Sequence, residues 1–277
     1  YNSRDLLENS TDGNNNLLSY TYDEALNRPL TVSLNGTLLT QHYYDSYPSD
    51  DFDAAHAFGQ ARMSSTLGMP TATDQRALGT ANLLRTQTYY DTKGRLIQTS
   101  AQNHKGGTDR SSQLLDFVGR VVDTHRSTLH ALTVLTHTAY DPAGRIKAIC
   151  QQVYDSNTPE AGKYWEPVAR YGYNSTGELT QKTLGCGIQT VDYAYNLRGW
   201  LTKLNDPNQL ILGKEQDFFG MSLRYDAVGN ITTWHYRSAQ RTGADALTPK
   251  DPYAYAFTYD NLHRLKTANL AKNSTEV

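Results

Sequence analysis

The chain has almost no cysteine. Two in 277 residues, Cys150 and Cys186, exclude a disulfide-dense scaffold, so the core must carry the stability. The two bond if their strands are neighbours and remain separate thiols otherwise, and sequence leaves both open. Charge imbalance is also lacking. Lys and Arg number 26 against 28 Asp and Glu, a formal net charge of −2, with no basic stripe. Nucleic acid is therefore not an expected partner. No apolar run approaches a membrane span, so no membrane insertion is expected. No signal peptide is present, but the chain begins with Tyr1, not Met. It reads as a fragment or a processed product, so the missing signal decides nothing.

Catalytic signatures are missing too. There is no His-Glu-x-x-His, no Cys-x-x-Cys, no Gly-rich phosphate loop opening a helix and no Gly-x-Ser-x-Gly elbow. The expectation is no enzyme and no cofactor. His125, His130 and His137 are close in sequence but straddle an expected return turn, without metal-ligand spacing. Asp50, Asp51 and Asp53 could hold calcium, which takes hard oxygen ligands. A solvated loop is the simpler account of them.

What the chain does have is a repeated corner. Tyr140-Asp141-Pro142-Ala143-Gly144-Arg145-Ile146 places Asp first in a type I turn, Pro second, and Gly at the left-handed position that ends it. A type I turn closed by left-handed Gly is a three-residue β-hairpin loop with a G1 bulge. Asp141 and Arg145 then close the hairpin, and Tyr140 faces Ile146 on one side of the ribbon. The corner returns at Tyr90-Asp91 with Gly94, at Leu115-Asp116 with Gly119, and at Tyr173-Asn174 with Gly177. It returns again at Tyr195-Asn196 with Gly199 and at Tyr225-Asp226 with Gly229. At Tyr259-Asp260 the Gly becomes His263, which tolerates left-handed φ at some cost. At Tyr22-Asp23 the position carries Asn27, and Pro29 makes the register less certain.

The apolar pair persists across most copies, whereas the Asp/Arg pair becomes Asn174/Glu178, Asn196/Trp200 and Asp226/Asn230. Burying a large side chain contributes about 1.5–3 kcal/mol, and an exposed ion pair about 0–1 kcal/mol. The constant element is the one that stabilises more. Between corners, Tyr253, Tyr255, Phe257 and Tyr259 alternate with Ala254, Ala256 and Thr258, a strict period of two that predicts a strand with one aromatic face. Asn35-Gly36 predicts a type I′ hairpin. The 20 tyrosines suit a large, thin sheet, since Tyr can bury its ring while its hydroxyl finds a partner. The fold class expected is all-β, a ribbon of antiparallel hairpins over 1–277. Irregular insertions are expected at about 45–82, with a short helix near Phe52–Phe58, and at 155–167, 206–220 and 238–252. The first reads as an insertion lying across the sheet or, alternatively, as a binding loop.

These corners resemble the naming motif of the RHS/YD-repeat family, and copies run from Tyr22 to Leu265. The stretch Tyr195–Thr202 followed by Phe219–Tyr225 resembles YD-repeat proteins of Bacteroidota. The resemblance implies a β-ribbon that spirals into a hollow shell and continues beyond this segment. In toxin complexes and polymorphic toxins such shells enclose a C-terminal polypeptide; in teneurins a related shell serves adhesion. It also implies export, by the type IX route in Bacteroidota, and carbohydrate binding has been ascribed to such repeats. Implied partners are flanking repeats or the RHS core, an enclosed polypeptide, export machinery and glycans. Trp165, Trp200 and Trp234 are the candidates for stacking on sugar, with core packing as the alternative. The self-cleaving core of the family is not matched. The only Asp-Pro-x-Gly, at Asp141 to Gly144, is an ordinary corner, so no protease activity is carried over.

Overall fold

A computed structural model describes residues 1–77, 79–128, 132–155, 158, 163–210, 217–241 and 247–272. Among these are twenty strands and no helix. The chain forms two compact units, residues 1–137 with 151–164, and residues 138–150 with 165–277.

In the first unit each strand pairs antiparallel with the next. The order is β1 (Asn9–Thr11), β2 (Leu17–Tyr22), β3 (Pro29–Leu34), β4 (Thr37–Asp45), β5 (Thr66–Arg76), β6 (Leu83–Tyr90), β7 (Leu96–Gln102), β8 (Thr108–Leu115), β9 (Val121–Ser127) and the start of β10 (Thr133–Tyr140). Next comes β11 (Ile146–Tyr154). The second unit continues in the same way through β12 (Glu166–Tyr173), β13 (Leu179–Leu184), β14 (Gln189–Tyr195), β15 (Leu201–Leu204), β16 (Phe219–Tyr225) and β17 (Ile231–Arg241). β17 carries the short β18 (Leu247–Pro249) at one end and β19 (Tyr253–Tyr259) along its middle, and β19 pairs with β20 (Leu265–Lys272).

The corners fold as their turn chemistry requires. Gly94, Gly119, Gly144, Gly177, Gly199 and Gly229 all have φ between 75° and 102°, and His263 and Asn27 stand at 58° and 56°. At Asp141 the backbone N–H donates to Arg145 C=O at 2.8 Å, and Gly144 N–H returns to Asp141 C=O at 2.9 Å. Tyr90 faces Leu96, Tyr173 faces Leu179 and Tyr225 faces Ile231. The corner at Asp23 holds one residue more, closing from Asp23 N–H to Arg28 C=O at 2.9 Å, so Tyr22 faces Pro29. Asn35 and Gly36 sit at φ 49° and 78°, as a type I′ turn demands.

Two return turns, at Asp12-Gly13 and at Gly106-Gly107, take the same corner geometry. Asn103 N–H donates to Gly107 C=O at 2.8 Å with Gly106 at φ 82°, and Asp12 N–H donates to Asn16 C=O at 3.1 Å with Asn15 at φ 60°. In the second case Asn, not Gly13, takes the left-handed position. A second bulge also follows the corners. Between Tyr89 and Tyr90 the register shifts, so Ile97 is an extra residue opposite β6. Ile97 and Gln98 are consequently both fully buried, which strict alternation forbids and a bulge permits.

The expected insertions need correction. Of 45–82, Asp45 ends β4 and 66–76 is the eleven-residue β5; 46–65 is irregular, and Ala77 N–H to Asn82 C=O closes a turn before β6. Phe52–Phe58 is not a helix: Ala57 N–H reaches Asp53 C=O at 3.0 Å and Gly59 N–H closes the turn on Ala54 C=O at 2.8 Å, with no regular helical ladder. Ser238–Arg241 belongs to β17, and Glu166 already opens β12. Parts of the insertions at 155–167, 206–220 and 238–252 lie outside the described residues.

Candidate functional site

Two arrangements stand out: a ladder that links successive corners, and the segment 46–65, hereafter the strap.

The ladder explains why the corner needs Tyr. Tyr173 Oη donates to Ile146 C=O at 2.9 Å, Tyr225 Oη to Leu201 C=O at 2.6 Å, and Tyr259 Oη to Ile231 C=O at 2.8 Å. In each case the first residue of one corner bonds the seventh residue of the corner before it. The sixth residue also packs forward. Arg145 lies 4.4 Å over the Tyr173 ring, and a Cβ on Gly177 would stand 3.5 Å from Arg145 Nη1. Trp200 takes the same place, its ring 5.2 Å from that of Tyr225. Arg95 Nη1 donates to Asp116 C=O at 3.1 Å. The variable sixth position is therefore a spacer between corners, which Arg, Trp or Asn can fill.

The corner carboxylates are held ionised. Asp141 Oδ1 accepts Arg145 N–H at 2.9 Å and Oδ2 accepts Arg145 Nε at 2.7 Å. The Arg145 backbone N–H is the largest influence. Burial opposes it, the guanidinium assists it, and the carboxyl lies below its ordinary value. At Asp91 burial pushes upward, but the Arg95 backbone N–H and guanidinium outweigh it. Asn174 and Asn196 do the same work uncharged, accepting Glu178 N–H at 2.9 Å and Trp200 N–H at 3.0 Å. A depressed carboxyl contributes stability that is full above its unfolded value near 3.8 and lost as pH falls through the lower folded value. Calorimetry from pH 7 to 3 is expected to show little corner-dependent change down to pH 5 and a falling melting temperature below about pH 4. Asp141→Asn keeps the turn and flattens that slope. A steeper acid slope in the variant would contradict this.

The strap crosses β6, β7 and β8 and is held by polar groups. Asp51 N–H donates to Tyr89 Oη at 2.8 Å, and Ser49 Oγ donates to Gln87 Oε1 at 2.7 Å. Gln98 brackets Asp53, accepting its N–H at 2.8 Å and donating to its C=O at 2.9 Å. Gln60 reaches Gln113 C=O at 2.9 Å. Tyr89 is fully buried, with Tyr47 and Phe52 rings at 5.0 and 5.2 Å. Burial pushes the Tyr89 hydroxyl up to about 12, against the Asp51 N–H contact. The expected insertion across the sheet is thus 46–65, and its underside is a core of Gln87, Gln98, Ser100 and Ser112.

The calcium reading of the acidic trio fails on geometry. Asp50 pairs with Arg62 at 3.0 Å, Asp51 with Arg110 at 2.6 Å, and Asp53 with His56 at 2.6 Å. Each carboxylate is spent on its own partner. Among the described residues no group of three His, Cys, Asp or Glu could hold a metal ion. His125 lies under the strap, His137 pairs with Asp123 at 2.7 Å, and His130 lies outside the described residues. Cys150 and Cys186 are free thiols.

The aromatic face is a ladder of rings in the second unit. Trp234 stacks with Tyr236 at 4.7 Å and Tyr255 at 5.7 Å, Tyr236 with Tyr253 at 5.5 Å, and Tyr255 with Phe257 at 5.8 Å. Of the three tryptophans, Trp200 serves the corner ladder and Trp234 the ring ladder; Trp165 is 47% exposed.

No sequence family and no curated protein matches this chain. Among solved structures, the crystal structure of TcdB2–TccC3 matches over 96% of the chain with TM-score 0.55 at 12% identity. The chain shares the fold of that region of TcdB2–TccC3. The chain spans 15% of the length of the TcdB2–TccC3 chain. A TcdB2–TccC3–Cdc42 structure aligns with TM-score 0.42 and 12% identity, over 98% of this chain and 16% of that one. A Photorhabdus luminescens Tc holotoxin pore aligns with TM-score 0.40 and 12% identity, over 92% and 15% respectively.

Proposed function

We propose that this chain is a non-catalytic wall segment of an exported RHS/YD-repeat shell that encloses or presents a polypeptide such as a toxin. The corner-to-corner ladder carries the reading. At three corners, Tyr173, Tyr225 and Tyr259, the Tyr bonds to the corner before it, an arrangement suited to extension by further corners rather than closure on itself. The fold shared with TcdB2–TccC3 supports a structural role. Its partners in this reading are flanking repeats and an enclosed chain. Export, by the type IX route if the Bacteroidota resemblance holds, belongs to the same proposal. Glycan binding finds less support, because Trp200 and Trp234 already stack on protein groups.

The terminal strand points the same way. β20 has β19 as its one neighbour among the described pairings, and residues 265–271 are all exposed. A long edge of this kind invites further pairing. The test is to purify the gene product with its flanking sequence and digest it with protease. A protected polypeptide not covalently required by the shell is the expected product, and complete digestion of everything but the repeats would overturn enclosure. Residues 1–277 expressed alone are expected to self-associate and bind an apolar dye. A monodisperse, cooperatively melting monomer that ignores the dye would instead mark a free-standing binding module.

A further inference from the structure

The strap is fastened at its middle by two imidazoles. His56, on the strap, stacks on His125 of β9 with ring centroids 4.3 Å apart and planes at 23°. His56 Nδ1 meets Asp53 Oδ2 at 2.6 Å. His125 stands opposite Ser112 of β8 and Leu135 of β10, mid-strand. Its Nε2 is buried and has no hydrogen-bond partner. The Phe58 ring lies 6.4 Å away.

We propose that the strap is an acid-released latch: proton uptake at the stacked His56–His125 pair lifts 46–65 off β6–β9 and uncovers the Gln87, Gln98, Ser100 and Ser112 face. Two stacked imidazoles cannot both carry charge without repulsion. A buried Nε2 with no acceptor gives a proton on His125 nothing to bond to. Of the remaining strap contacts, those to Gln87, Gln98 and Gln113 are hydrogen bonds that water can replace, while Tyr47 and Phe52 pack on the Tyr89 ring; opening the strap leaves the strand ladder paired, so it costs less than unfolding the sheet. This inference is independent of the shell reading.

The charges around the pair do not reverse the argument. On the strap, Asp53 faces His56, while Asp51 is occupied by Arg110 of β8 at 2.6 Å. Arg110 also acts on Asp53. Asp123 of β9 and His137 of β10 pair with each other at 2.7 Å. On the β7 side the strap meets the uncharged Gln98. Burial, then His56, hold His125 below its ordinary value, outweighing Asp53 and the His56 backbone contact. A His with an ordinary value when the strap is off and a lower value when it is on is neutral in both states above about pH 6.5. Closure is therefore strongest there. As pH falls below 6.5 the open state binds the proton first, and closure weakens until pH reaches the closed-state value. Burial pushes Asp53 up, but His56 and Arg110 outweigh it and leave it below its ordinary value. Its own contribution is lost only below about pH 4, outside this window.

The test is hydrogen exchange on the full chain at pH 7.5 and 5.5, with labelling times scaled to the intrinsic rate. The reporters are the amides of Asp51, Asp53, Ala57 and Met63, all bonded within or beneath the strap. Their opening constant is expected to rise by up to about tenfold, the limit for one group with an open-state value near 6.5. The β19–β20 amides should not change. Equal strap protection at both pH values would overturn the proposal. His125→Phe keeps a ring in the stack without a titrating group and should abolish the pH response; a persisting response overturns it. Should His125→Phe not fold, NMR titration of the His125 ring in the natural chain decides: a midpoint below 6.5 supports the latch, and one at or above 6.5 overturns it. His137→Asn should keep the response, and its loss would move the switch to the Asp123 pair and overturn the assignment.

Discussion

Gly229→Val is expected to lower stability by about 2–4 kcal/mol, more than valine at any unencumbered corner. Two costs add at this position. Gly229 has φ 102°, where a β-branched residue is strained by roughly 1–3 kcal/mol. A Cβ there would also stand 3.1 Å from Trp200 Cζ2 and 3.2 Å from Cη2. Trp200 cannot yield freely, because its ring packs on Tyr225 and carries Arg198 5.0 Å above it. Gly106 supplies the control. It has φ 82°, and a Cβ on it would meet nothing within 4 Å, so Gly106→Val pays the backbone cost alone, about 1–3 kcal/mol. Chemical denaturation of the two variants reads the difference. Equal costs, or the reverse order, would show that the corners do not pack on one another.

Tyr89→Ala should cost about 3–5 kcal/mol, the usual range for emptying a large buried aromatic site. Tyr89 is the largest of the fully buried side chains. Removing it deprives Tyr47 and Phe52 of their ring partner and leaves the Asp51 N–H without its acceptor. The loss should be felt first in the strap: limited proteolysis should cut within 46–65 at concentrations that spare the natural chain. Tyr89→Phe keeps the rings and removes one acceptor, so it should cost about 1–2 kcal/mol. If the two variants melt alike, the strap rests on the hydrogen bond and not on the ring cluster.

These two sites divide what could be read in advance from what could not. The corner at Gly229 was legible because turn chemistry is local: Asp, a left-handed Gly and an apolar pair all lie within seven residues. The same locality made Asn35-Gly36 and the alternation of Tyr253 to Tyr259 readable. The turn at Asp12-Gly13 was legible as a turn, but not that Asn15 is the residue that adopts positive φ. β5 was hidden because Thr66–Arg76 carries Gly68 and Pro70, both of which usually end a strand, and the register shifts of the β4–β5 pair accommodate them. Nothing in the sequence marked Gln87, Gln98 and Ser112 as core, since polar residues at such positions normally face water.

The sequence by itself determined the hairpin corners, the all-β class and the aromatic face, because each depends on residues a few positions apart and on the strand period. Only the tertiary structure decided the ladder and the strap. The Tyr173 bond to Ile146 spans 27 residues, the Asp53 contact with Gln98 spans 45, and the Asp51–Arg110 pair spans 59. Such contacts form only when bulges and strand pairing bring distant segments to one face. Whether a polar side chain there meets water or a buried partner is set by what the fold lays over it.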